Sequence, residues 1–216
     1  MSKNVFDISN ELMSNAYPGR GIIFGRTLDN KQNVVAYFIM GRSENSRNRI
    51  FVETEDGIRT QAYDPSKMTD PSLIIYHPVR QCGGKLVVTN GDQTDTICEY
   101  LREGKSYIDA LRTRQFEPDA PNYTSRISGV INEDGSYSLS ILKNFTSDRT
   151  SNKRFFYEYD KPVPGLGHFI HTYQCDGDPL PPFRGEPKCI RIEKPIKQFT
   201  EMLWTSMNEQ NKVALF

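Results

Sequence analysis

An α+β fold with two mainly antiparallel sheets and helices outside them is what the sequence predicts, and three observations carry that expectation. Between residues 20 and 89, runs rich in Val, Ile, Phe and Tyr recur at short intervals, separated by turn signals such as Asp56-Gly57. From Thr94 the apolar spacing becomes helical, with Ile97 and Leu101 on one face. After residue 125 the strand pattern returns, and Glu133-Asp134-Gly135 joins two runs as a hairpin.

The stretch NVFDISNELMSN, residues 4–15, places Val5, Ile8, Leu12 and Met13 at helical spacing, and Pro18 and Gly19 then end the pattern. GRGIIFGRTL, NVVAYFIMGR, NRIFVETED and GIRTQAYD read as four strands of one antiparallel meander, with DNKQN and SENS as turns. SLIIYHPVR and KLVVTNG add two more across QCGG, whose paired glycines suit a tight turn, for a first sheet of about six strands. TDTICEYLREG and SYIDALRTR read as short helices, the second opened by a Ser106 to Asp109 capping pattern. After the loop FEPDAPNYT, the runs SRISGVIN, SYSLSILKN, RFFYEYD and GHFIHTYQ imply a second sheet. CDGDPLPPFRGEP reads as a surface loop, and PIKQFTEMLWTSMNEQ as a closing helix through Phe199, Met202, Leu203 and Met207. No repeat or linker divides the chain, so residues 1–216 read as a single domain with room for a sizeable core.

Composition narrows the function classes. The 27 basic and 27 acidic residues cancel, so no global field gathers nucleic acid or an anionic membrane, and any anion site must be local. No apolar run has the length of a bilayer span. Cys82, Cys98, Cys175 and Cys189 lack CxxC spacing and no signal peptide precedes them, so reduced thiols in a cytoplasmic protein are expected. His77, His168 and His171 include an HxxH pair but no HExxH, and no metal site is expected.

Four stretches are candidates for chemistry. GRSENSRNR, residues 41–49, carries Arg42, Arg47 and Arg49 at the end of a buried-type strand, with Ser43 in the turn. A charged hairpin accounts for it, yet the guanidinium fork is also the group suited to two-point recognition of phosphate or carboxylate. TNGDQTDTI, residues 89–97, runs from strand through Asn90-Gly91 to a helix start at Thr94 and Asp95, which is either an ordinary N-cap or a set of N–H groups for an anion. It has no Walker lysine and no GxGxxG, so neither a triphosphate nor a dinucleotide site is supported. NYTSRI brings Arg126 to a strand start near Glu117, and AYPGRG brings Tyr17 and Arg20 to the first strand. Each of these also suits a core tyrosine or an exposed charge.

Taken together and in order, YPGRGIIFGR, VAYFIMGRSENSR, YHPVR, TNGDQTDTI and NYTSRISGVIN resemble the archaeal-type IMP cyclohydrolase family, from about Tyr17 to Asn132. HTY at 171–173 is a weaker likeness, and neither the N-terminal helix nor the segment from Gln174 onward is covered. The resemblance implies a four-layer αββα sandwich of the N-terminal nucleophile hydrolase type. It also implies closure of the purine ring of 5-formamidoimidazole-4-carboxamide ribotide with loss of water, without a cofactor. The partner is then a small purine ribonucleotide, with no nucleic acid and no membrane, and homo-oligomerisation is left open.

Arg20, Arg42 and Arg126 become expected phosphate ligands, with Ser43 and the backbone from Asn90 to Thr94 beside them. Tyr76 and Arg47 are expected to donate to the formyl oxygen. Glu117 is expected to take the carboxamide proton, with Asp95 an equal alternative. Arg49 has no family match and is expected to be a surface charge. An amide hydrolase with an N-terminal nucleophile is the second reading, although Ser2 lies well upstream of the first strand. A nucleotide-binding protein without activity is the third.

Overall fold

The computed structural model describes residues 5–144 and 151–216, and its architecture is α+β. Ser2 therefore lies outside the described residues. The chain opens with α1 (Ile8–Ser14), whose first amides at Ser9 and Asn10 donate to the Asp7 carboxylate. It continues through β1 (Arg20–Arg26), β2 (Asn33–Met40), α2 (Glu44–Arg47), β3 (Arg49–Thr54) and β4 (Gly57–Ala62). After one turn of 3-10 helix at Pro65–Lys67 come β5 (Val79–Cys82), β6 (Lys85–Thr89), α3 (Gln93–Arg102) and α4 (Tyr107–Arg112). The remainder is β7 (Arg126–Ile131), β8 (Tyr137–Asn144), β9 (Asn152–Tyr159), β10 (Leu166–His171), β11 (Lys188–Arg191), α5 (Ile196–Ser206) and β12 (Lys212–Leu215).

Two antiparallel sheets result, a five-stranded one in the order β11-β10-β1-β2-β12 and a seven-stranded one from β3 to β9 in sequence order. Apolar side chains sort into three layers between and outside them. Ile22, Phe24, Tyr37 and Ile39 of the smaller sheet meet Val88, Ile127, Leu139 and Ile141 of the larger in the central layer. Ile23, Phe38 and Phe169 on the opposite face are covered by α1 and α5 through Ile8, Leu12, Phe199 and Leu203. Val87, Val130 and Leu142 are covered by α3 and α4 through Ile97 and Leu111. Helix, sheet, sheet, helix is the layering that such two-faced burial demands, because each fully buried Phe, Ile or Leu contributes roughly 1.5–3 kcal/mol.

Several expectations need correction. The four-strand meander does not exist: β1 and β2 pair in one sheet, β3 and β4 in the other. The crossing occurs at GRSENSRNR, which is a helical turn, α2, and not a hairpin. Gly41 permits it, because a Cβ there would stand 2.7 Å from the Ser46 carbonyl. Ser43 and Ser46 then close the turn as a reciprocal capping pair.

SLIIYHPVR is strand only at its end, since the amides of Ile74 and Ile75 turn back to the Pro71 carbonyl. Thr60 supplies the missing ladder partner there, its hydroxyl accepting from the Tyr76 amide. The two sheets also do not divide the chain into halves, because β10 returns to pair with β1. Short edge strands β11 and β12 lack the apolar alternation that marks the others. The segment 175–187 is a loop, yet it sends Leu180 and Phe183 into the core. Cys82 on β5 and Cys98 on α3 form a disulfide, contrary to the expected thiols, while Cys175 and Cys189 are free. Their sequence spacing conceals a pairing made across the layer between sheet and helix.

Candidate active site

Strand ends and adjoining loops from both sheets build one buried polar cluster. Arg20 begins β1, where its amide donates to the Thr172 hydroxyl and its carbonyl accepts from the Thr172 amide. Arg49 begins β3 and Arg126 begins β7. Tyr76 precedes β5, Asn90 follows β6, and Glu117 lies between α4 and β7.

Glu117 is 2% exposed, and its amide donates to the Thr124 carbonyl at 2.8 Å. Asn90 Nδ2 stands 3.4 Å from its Oε1. Burial pushes this carboxyl up to about 7, with Arg20 and then Arg126 pulling against the rise. A buried carboxyl that exchanges its proton near neutrality, braced by arginine, has the property a general base requires.

The turn after β6 holds Asn90 beside that carboxyl. Asn90 Oδ1 accepts from the amide of Ile127 at 2.8 Å and from Gln93 Nε2 at 3.0 Å, and its Nδ2 donates to the Ser125 carbonyl at 2.9 Å. Arg126 donates to Gln93 Oε1 at 2.6 Å, to the Gln115 carbonyl at 2.9 Å and to Asp92 at 2.7 Å. Gly91 lies so close that a Cβ would stand 2.6 Å from Arg126 Nη1 and 3.3 Å from Glu117 Oε1. Thr94 closes the turn, its hydroxyl 2.6 Å from that of Thr89 and 3.1 Å from the Gly91 carbonyl.

On the other side, the Tyr76 and Tyr37 hydroxyls are 2.7 Å apart, and burial drives the Tyr37 phenol well above its ordinary value. Arg20 interacts electrostatically with Tyr173, Glu117 and Tyr76; burial disfavours its charge, and these partners outweigh it. Tyr173 stacks on Tyr17 at 5.7 Å and bonds the Thr124 hydroxyl at 2.5 Å. The structure thus joins Arg20, Tyr76, Asn90, Thr94, Glu117 and Arg126 in one cluster, through the contacts given above.

The remaining candidates lie elsewhere. Arg42 is exposed, with Nη1 2.6 Å from the Asp176 carboxylate and 2.9 Å from the Gly177 carbonyl, and its guanidinium 5.1 Å above the Tyr17 ring. With Arg47 and Lys67 it lines an open cleft of about 430 Å³. Ser43 is spent as the cap of α2. Asp95 is paired with Arg80 at 2.8 Å, with His77 Nδ1 at 3.8 Å, so its carboxylate is engaged away from Glu117. Among the described residues no group of three or more His, Cys, Asp or Glu is placed to hold a metal ion.

Arg49, expected on the surface, is instead 2% exposed and sits among Arg20, Tyr76, Tyr37 and Tyr17. The two-residue period of β3 puts Arg49 on the face of Phe51, which packs on Tyr37, but RIFVET carries apolar residues on both faces, so the period alone does not say which is buried. Tyr37 was hidden too: it reads as one more apolar residue of VVAYFIM.

A buried carboxyl raised towards neutrality, paired phenols and buried arginines where two sheets meet are the kinds of group an enzyme site for a small anionic molecule uses. The chain belongs to the family described as IMP cyclohydrolase-like protein, whose profile matches residues 17–216. That match includes the segment beyond Gln174, which the sequence resemblance left uncovered. The chain is 28% identical over 166 residues to an IMP cyclohydrolase of Methanococcus aeolicus, covering 74% of this chain and 75% of that protein. It is 30% identical over 131 residues to an IMP cyclohydrolase of Halobacterium salinarum, covering 59% and 63%. A third, from Methanopyrus kandleri, is 27% identical over 162 residues, covering 73% and 75%.

Proposed function

We propose that this protein is an IMP cyclohydrolase, which closes the pyrimidine ring of 5-formamidoimidazole-4-carboxamide ribotide to give inosinate and water. The carboxamide nitrogen attacks the formyl carbon and loses one proton while the formyl oxygen gains one, giving a cyclic carbinolamine. Its C–O bond then breaks, the formamido nitrogen gives up its proton and forms the ring C=N bond, and the oxygen departs as water. An amide nitrogen is a weak nucleophile and a formamide a weak electrophile. The site must therefore supply a base, a donor to the formyl oxygen, and a fixed near-attack geometry, which lowers such barriers by roughly 7–11 kcal/mol at its limit.

Glu117 takes the carboxamide proton. The observation that carries the proposal is its burial beside Arg20 with a carboxyl at about 7, so that a fraction large enough for base catalysis is ionised near neutral pH. Asp95, the alternative, is half exposed and committed to Arg80. Tyr76 donates to the formyl oxygen as charge builds there, with the Tyr37 hydroxyl 2.7 Å behind it as a proton relay.

Asn90 orients Glu117, and Arg126 is a positioning residue: its Nε donates to the Gln115 carbonyl and its Nη1 is shared by Gln93 and Asp92. Arg20 and the neighbouring Arg49 are then the inner cations, and Arg42 and Arg47, which line the open cleft with Lys67, Glu44 and Asp64, are the groups that meet the ribotide first. Purified protein incubated with the formylated ribotide is expected to form inosinate, followed by absorbance. Formate release without ring closure would point to amide hydrolysis, and ribotide binding without turnover to a non-catalytic binding protein.

A further inference from the structure

We propose that Arg49 is a substrate-binding residue, and that its two terminal nitrogens, with Arg20 beside them, seat the 5′-phosphate of the ribotide. The proposal rests on the ring-closing reading for the identity of the nucleotide, but the anion site itself stands on geometry.

Arg49 is among the largest fully buried side chains of the molecule. Its Nε donates to the Ser46 carbonyl at 2.8 Å, which ties the start of β3 to α2. Neither Nη1 nor Nη2 has a hydrogen-bond partner among the described residues, and the same is true of Arg20 Nε. A buried guanidinium needs a counter-charge and partners for its N–H groups, and leaving them unmet is strongly unfavourable.

No carboxylate stands among the groups that act most strongly on Arg49; they are Arg20 and the phenols of Tyr76, Tyr37 and Tyr17. Burial and then Arg20 both disfavour its charge, as expected of two cations facing one site. Glu117 is a carboxylate that interacts electrostatically with Arg49, but it answers first to Arg20 and Arg126 and holds its proton up to about 7. Asp92 is taken by Arg126 and Arg114. Two guanidiniums with free donors and at most one shared carboxylate call for a dianion, and the planar fork of Nη1 and Nη2 matches two phosphate oxygens.

Tyr17 lies within electrostatic reach of both Arg20 and Arg49, and Arg42 covers its ring while bridging to Asp176 on the proline-rich loop. An exposed ion pair of this kind contributes little and opens readily.

The test uses the full-length protein and inorganic phosphate, followed by thermal midpoint and by phosphorus NMR linewidth. Phosphate is expected to bind and stabilise the wild type. Arg49→Met is expected to weaken that binding at least about tenfold, the loss of one charge-assisted contact, while raising the midpoint of the free protein by removing an uncompensated charge.

In turnover, Arg49→Met should raise KM far more than it lowers kcat, and should shrink the preference for ribotide over the dephosphorylated riboside by the same factor. Unchanged phosphate affinity in the variant, or an intact ribotide preference with only kcat reduced, overturns the proposal. Should Arg49→Met not fold, Arg49→Lys keeps the charge without the fork, and wild-type phosphate affinity in that variant overturns the bidentate seat. Arg49-dependent phosphate binding in a wild type that forms no inosinate would sink the cyclohydrolase reading and leave this site standing; turnover with Arg49-independent phosphate binding would do the reverse.

Discussion

At the scale of the residue, Glu117 sets two effects against each other. Its carboxyl is raised from 4.5 to about 7 by burial. Below the lower value both folded and unfolded chains are protonated there and nothing is lost. As pH rises the unfolded chain ionises first, so native stability falls across the window from about 4.5 to about 7 and stays lower above it. The loss is on the order of 3 kcal/mol at most. Glu117→Gln is therefore expected to leave stability unchanged at low pH and to raise it by roughly 1–3 kcal/mol at pH 8, read from urea midpoints at the two pH values. The same substitution removes the proposed base and should lower kcat by roughly 10²–10⁴. Greater stability with lost activity is the signature of a strained functional group, whereas an equal loss of both would make Glu117 a structural carboxyl.

At the scale of the element, the β6–α3 turn frames the proposed base, and Gly91 is closely packed within it. A methyl there meets Arg126 Nη1 at 2.6 Å and Gln93 Oε1 at 2.7 Å, both parts of the frame that holds Asn90. Gly91→Ala should cost roughly 1–3 kcal/mol by overpacking and reduce kcat more than KM, checked by denaturant melts and steady-state kinetics. Unaltered kcat would show that the turn does not position Glu117. This turn was legible beforehand, since strand, Asn-Gly and a helix-opening TDT need no tertiary information to be recognised. The α2 turn was not: charged residues and serines fit a hairpin as well as a helix, and what decides is Gly41 passing close over Ser46. Arg49 was misjudged with it, because its burial depends on β3 crossing to the other sheet, a long-range event that a nine-residue stretch does not encode. Arg20, Glu117 and Arg126 could be singled out from the sequence as candidates, since each stands at a strand end or in an adjoining loop.

At the scale of the whole molecule, the two sheets share one core, so the site's halves depend on each other. Phe24 of the smaller sheet packs against Gly129 of the larger, where a Cβ would stand 2.6 Å from its ring, and meets Tyr137 edge-on at 5.7 Å. Phe24→Ala should cost roughly 3–5 kcal/mol and loosen both sheets together, seen as a single lowered thermal transition. Two separated transitions would mean that the sheets melt independently. Because Arg20 and Tyr37 come from the smaller sheet while Arg49, Glu117 and Tyr76 belong to the larger or its loops, such loosening spreads the site apart.

The central claim is that Glu117 is the base for ring closure in this buried polar cluster. Its most direct test is the pH dependence of kcat/KM for inosinate formation from the formylated ribotide, in the wild type and in Glu117→Gln. The wild-type rate should rise with pH through about 7 as the carboxyl ionises, and the variant should be slower throughout with that inflection gone. A wild type that forms no inosinate above the buffer rate, or a variant that keeps the inflection near 7, would contradict the account.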